Sequence, residues 1–252
     1  MKAPLVLVHG VGLDHTMWDA VVPALSADCR VVRLDLLGHG GAEDPAGERV
    51  LGDFVEQLHG VIDLLDEPVD LVGSSLGALI SFAFTATHPQ SVRSLVVSNM
   101  VFGRTGNEQS AVDARLALAE DQGMSAIADL AIDRWFDASW QSAHPDVVAA
   151  IRTRLSTTDL TAYLKAYRVF VSTDARAAGY AEQITCPTLA MTGELDPAST
   201  PAMTSAIAEA VAAGQAEVLV GLHHLPSVEA PERFVDSLNA FHSSLDTESN
   251  HV

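Results

Sequence analysis

The sequence predicts an α/β protein: a doubly wound, mostly parallel sheet of about six strands, with a block of helices inserted into it. Three observations predict this class. Short, nearly continuous apolar runs recur along the chain, and such runs suit strands covered on both faces by helices. Helix-like stretches alternate with them, the pattern of parallel strands joined by crossover helices. One interval, from Met100 to about Gln183, breaks the rhythm with helical segments alone.

In chain order, the first strand is expected at 4–8, ending at His9-Gly10-Val11-Gly12, and the second at 30–35. A helix at 50–66 precedes a strand at 69–73, a helix at 76–88 and a strand at 92–98. The interruption reads as helices at 107–121, 124–136, 145–156 and 159–172, punctuated by Gly103, Gly106, Gly123 and Pro145. The alternation resumes with a strand at 188–192, a helix at 201–213, a strand at 216–220 and a helix at 231–244. Residues 1–99 and 184–245 are therefore expected to form one core. Residues 100–183 are expected to form a helical lid, and the polar residues 246–252 a flexible tail.

Composition narrows the function. Of 252 residues, 48% are hydrophobic, enough for a sizeable core. The net charge of −19 sets 14 Lys and Arg against 33 Asp and Glu. Such a surface repels phosphate backbones and anionic lipids, so neither nucleic acid nor membrane is an expected partner. An anionic small-molecule substrate would need a local arginine to offset that field. No apolar run approaches the ~20 residues that span a bilayer, and the first residues do not read as a signal peptide. Cys29 and Cys186 stand in no metal-like spacing and suit a reducing compartment, so a cytoplasmic protein is expected. It is expected to be a monomer or homodimer that uses no metal and no organic cofactor.

The sharpest motif is Gly73-Ser74-Ser75-Leu76-Gly77. It fits G-x-S-x-G with a strand before it and a helix after it, the setting of a nucleophile on a strained strand-to-helix turn. Ser75 is the expected nucleophile, because Ser74 would lack the flanking glycines. The N–H of Leu76 and one from the loop after the first strand, assigned to Val11, are the expected oxyanion donors. His9 and His39 read as braces of their loops. A serine needs a base and the base an orienting carboxylate. Asp196 lies just past the fifth strand, on the side where open α/β sheets bind ligands; Glu194 sits early in that turn. The base should lie on the loop after the sixth strand, where His223 and His224 compete.

These pieces resemble the α/β-hydrolase superfamily. The matching segments are His9-Gly10-Val11-Gly12, Asp35-Leu36-Leu37-Gly38-His39-Gly40, the Ser75 elbow, Cys186-Pro187-Thr188-Leu189, Gly193–Asp196 and His224-Leu225-Pro226. The family's base is the histidine directly before Leu-Pro, so the resemblance implies His224. Most members begin with a two-strand hairpin before the first of these segments; here the hairpin is missing, which implies the shortened sheet of about six strands. Within the superfamily, Asp133-Arg134-Trp135-Phe136 and Asp174-Ala175-Arg176 resemble the lid of 3-oxoadipate enol-lactonases, although Ala78 stands where those carry a second glycine. Trp135 and Arg134 are thereby candidates for substrate contact. The resemblance implies hydrolysis of an ester or lactone of a small carboxylic acid through an acyl-enzyme. A C–C hydrolase of aromatic ring-fission products would use the same three residues, and a ligand-binding protein on the same fold would need none of them.

Overall fold

The computed structural model describes residues 3–27 and 29–249. Its sheet has six strands: β1 (Leu5–Val8), β2 (Val31–Leu34), β3 (Val69–Ser74), β4 (Val92–Ser98), β5 (Thr188–Gly193) and β6 (Gly214–Leu219). All pairs are parallel, in the order β2-β1-β3-β4-β5-β6. Each strand falls on a predicted run. The chain is thus the expected α/β protein.

Period-two alternation explains the double winding. Val6, Val8, Leu71, Leu95, Val97 and Ala190 point into one core. Leu5, Leu7, Val72, Val96, Leu189 and Met191 point into the other. The first core is closed by α2 (Leu51–Asp63), α3 (Leu76–Thr87) and α8 (Pro201–Ala210). The second is closed by α1 (Val22–Leu25), a 3₁₀ turn at His15–Trp18, and α10 (Pro231–Ser249). In α10, Phe234, Leu238 and Phe241 recur at helical spacing and are buried, each contributing about 1.5–3 kcal/mol.

Four helices separate β4 from β5: α4 (Gly106–Trp135), α5 (Ala138–Ala143), α6 (Pro145–Thr157) and α7 (Leu160–Ala181). Thr105 caps α4, its hydroxyl accepting from the Glu108 N–H while the Glu108 carboxylate accepts from the Thr105 N–H. The helix breaks at Gly123 (φ 73°, ψ −168°), where two helices were expected to part. α7 packs on α3 and outruns its expected end at 172, because Thr173, Ala177 and Ala181 continue its buried stripe.

The structure corrects three details. β2 and β6 are edge strands; their residues are largely half-buried or exposed, so only the four inner strands are covered on both faces. The turn before α10 holds a short helix, α9 (Pro226–Glu229), too brief to show periodicity. The tail expected at 246–252 begins inside α10, which runs to Ser249; residues 250–252 lie outside the described residues. No helix among the described residues is long and apolar enough to cross a membrane.

Candidate active site

The loops leaving the carboxyl ends of β1, β3, β4, β5 and β6 converge on one place. Ser75 sits between β3 and α3 with φ 54° and ψ −114°, a conformation that L-residues avoid. Its N–H donates to the Ser98 carbonyl at 2.9 Å, which ties the turn to β4. The flanking glycines are steric necessities. A Cβ on Gly73 would stand 2.4 Å from the Gly77 carbonyl oxygen, and one on Gly77 would stand 2.3 Å from that of Val8. Leu76 opens α3, so its N–H has no acceptor within the helix.

Asp196, three residues past β5, is buried. His224 Nδ1 donates to its Oδ2 at 2.6 Å. Asn99 Nδ2 donates to the same oxygen at 2.8 Å, and the N–H groups of Ala198 and Ser199 donate to Oδ1 at 2.9 and 3.2 Å. Burial pushes this carboxyl up, but the charge and hydrogen bond of His224, together with Asn99 and Ala198, outweigh it and hold the pKa at about 2. The carboxylate therefore stays ionised and fixes the imidazole with Nδ1 protonated, which leaves Nε2 for proton transfer.

His223, the competing histidine, turns elsewhere: its N–H donates to Glu229 Oε2 at 2.7 Å, and its Nδ1 meets Glu229 Oε1 at 3.1 Å. Glu194 accepts from the Gly221 N–H at the surface. His9 is fully buried; its Nδ1 donates to the Gly10 carbonyl, and its Nε2 accepts from the Leu36 N–H at 3.0 Å. Burial, then the neighbouring His39, lowers its pKa to about 3, so it is a neutral brace between the loops after β1 and β2.

Ser75, His224 and Val11 form the floor of a cavity of about 70 Å³. Its other walls come from the loop 197–199 and from the 100–183 insertion, which contributes Arg104, Arg115, Arg134 and Trp135. Trp135 is buried and stacks on the His224 ring, centroids 5.8 Å apart and planes 15° apart. The structure thus brings together all seven residues singled out from the sequence: Ser75, Leu76, Val11, Asp196, His224, Trp135 and Arg134.

Asn99, Arg104 and Arg115 were missed. Asn99 follows directly on β4, where functional groups gather in open sheets, so a signal existed. The arginines are scattered along α4 and before it, with nothing local to mark them. Among the described residues, a candidate metal grouping is Asp14, His15 and Asp35. Its carboxylates are occupied: Asp35 accepts from the His15 and Gly41 N–H groups, and Asp14 pairs with Arg154.

Comparison with known proteins places the chain in a family and a fold. A family model described as the alpha/beta hydrolase family matches residues 5–237. The chain is 34% identical, over 241 residues, to (E)-2-((N-methylformamido)methylene)succinate hydrolase of Acinetobacter baylyi, covering 94% of this chain and 89% of that protein. It is 25% identical over 240 residues to 3-oxoadipate enol-lactonase 2 of the same organism, covering 95% and 88%. The crystal structure of the enol-lactonase from Burkholderia xenovorans superposes with a TM-score of 0.87 at 28% identity, covering 96% of this chain and 92% of that one.

Proposed function

The chain belongs to the alpha/beta hydrolase family, and from that premise we propose that it is a serine hydrolase cleaving an ester or enol-lactone of a small carboxylic acid through an acyl-enzyme. The hydrogen bond from His224 Nδ1 to a buried, ionised Asp196, at the mouth of the Ser75 elbow, is the observation that carries this reading. Ser75 attacks the carbonyl carbon while His224 Nε2 takes its proton. The N–H groups of Val11 and Leu76 hold the oxyanion. His224 then returns the proton to the leaving oxygen, the bond breaks, and an acyl-Ser75 ester remains. Water, deprotonated by His224, releases the acid and restores Ser75. Each step needs only these side chains, backbone donors and water.

The helices 100–183 act as a lid in this reading: α4 carries Arg134 and Trp135 to the cavity and keeps bulk water from His224. The relatives' names, an enol-lactonase and a hydrolase of a substituted succinate, support a small acidic substrate. Soluble expression with a cytoplasmic, cofactor-free enzyme is the setting we infer.

The test is hydrolysis of p-nitrophenyl acetate and butyrate, and of 3-oxoadipate enol-lactone, by wild type and Ser75→Ala. Loss of at least about a thousandfold in the variant is expected. Equal rates in the two proteins would sink the reading. A wild type inert on all three but active on a ring-fission diketone would favour the C–C hydrolase instead.

A further inference from the structure

The chain holds only 14 Lys and Arg, yet three arginines face the cavity above Ser75. They are not equally compensated. Arg104 donates to the Phe170 and Val171 carbonyls and lies in the field of Asp174 and Glu108. Arg115 is oriented by Tyr167, to whose hydroxyl its Nε donates at 2.9 Å. The Nε atoms of Arg104 and Arg134 are both out of contact with solvent and without a hydrogen-bond partner, and the Arg134 guanidinium has only the Trp135 ring, 6.0 Å away, against it. Among the described residues, neither Arg115 nor Arg134 has an ion pair, and the two repel each other. The carboxylate that acts on Arg134 is Asp196, already committed to His224 and Asn99. Both arginines also line a second, smaller void of about 20 Å³.

Two half-buried like charges placed side by side, with no ion pair to either, weaken the empty protein. They become favourable when an anion enters between them, because planar guanidinium forks pair bidentately with carboxylates. The long-range field of so acidic a chain turns anions away unless something local offsets it; here Arg115 and Arg134 reverse that field at the one place a substrate must reach.

We propose that the substrate is a dianion, a small dicarboxylate ester or lactone whose two free carboxylates are held by Arg115 and Arg134, with Arg104 at the outer rim, while the scissile carbonyl lies over Ser75. This rests on the reading of Ser75 as the nucleophile, and it names the substrate class of that site. A monocarboxylate would leave one of the two guanidinium groups without an ion-pair partner.

The experiment reads binding apart from catalysis. Glutarate (a dianion) and butyrate (a monoanion of similar length) are titrated calorimetrically into Ser75→Ala, then into the same protein carrying Arg115→Gln or Arg134→Gln. Glutarate is expected to bind at least about tenfold tighter than butyrate, with that preference lost in either double variant. Arg134→Met should hold or raise the melting temperature, by about 2–4 °C, because it removes an unpaired charge from the wall. Equal affinities, binding of neither acid, or a preference that survives both substitutions would overturn the proposal. So would a marked fall in melting temperature for Arg134→Met, which would make Arg134 a structural group. If wild type hydrolyses neither esters nor lactones while the glutarate preference stands, the hydrolase reading fails and the dianion site does not.

Discussion

Asp196 keeps its charge away from water because four donors converge on it: His224, Asn99 and the N–H groups of Ala198 and Ser199. Asn99 does most to set their geometry. It sits at φ 52°, which asparagine tolerates better than most residues, and its Nδ2 also reaches Thr192 Oγ1 and the His223 carbonyl. One amide group thus joins the loops after β4, β5 and β6. Asn99→Ala should lower kcat by about 10–100-fold with little change in KM, because the side chain orients the carboxylate and not the substrate. Steady-state kinetics on a p-nitrophenyl ester check this, and a loss confined to KM would place Asn99 at the substrate instead. Ser75 and Asp196 were singled out in the sequence by local marks, a glycine-flanked elbow and the end of a strand, and His224 by the family resemblance, which puts the base directly before Leu-Pro. Asn99 carries only its position after a strand, and its role exists through partners 93 to 124 residues away.

Elements matter here through how closely they approach. The strand-to-helix turn at Ser75 lies against β1, and Gly77 is where backbones meet: an added Cβ would lie 2.3 Å from the Val8 carbonyl oxygen and 2.4 Å from that of His9. Neither atom can move without moving β1 and the Val11 loop. Gly77→Ala should therefore cost about 3 kcal/mol or more, or prevent folding. Gly123, at the break in α4, has open space where a Cβ would stand, with nothing within 4 Å, and only its φ of +73° opposes substitution. At ψ −168° this is backbone that only glycine adopts freely, so Gly123→Ala should cost about 1–3 kcal/mol and leave the protein folded. Urea unfolding of both variants checks the contrast, and equal losses would refute it. The alternation of strands and helices was legible because buried strands and amphipathic helices differ in period. The edge character of β2 and β6 was not, since an apolar run reads alike whether one face or both are covered.

For the whole molecule, buried neutral histidine makes the fold acid-sensitive. His9 has a folded-state pKa of about 3, against about 6.5 in an unfolded chain. Its neutral form is the one the fold accommodates. Above pH ~6.5 its contribution is complete; as pH falls from there toward 3, the unfolded chain takes up a proton that the folded one refuses, and stability drops by up to about 1.4 kcal/mol per pH unit. Asp196, held at about 2, adds a loss in the same direction below about pH 4. Unfolding free energies measured at pH 8, 6.5 and 5 should fall across the lower interval in wild type and much less in His9→Asn. An equal slope in the variant would assign the acid sensitivity elsewhere.

The sequence by itself determined the layers, the order of the strands along the chain and the strained turn at Ser75, because these depend on residue period and on contacts within a few residues. It also set the condition that an acidic chain needs local arginine to hold an acidic ligand. Only the tertiary structure decided that Asn99 ties three loops to Asp196, that Trp135 lies on the His224 ring, and that Arg115 and Arg134 line one cavity with no ion pair to either among the described residues. The first follows from the adjacency of β4, β5 and β6 in the sheet and the other two from the folding of the inserted helices back over it, and side chains that meet by such folding leave no periodic trace along the chain.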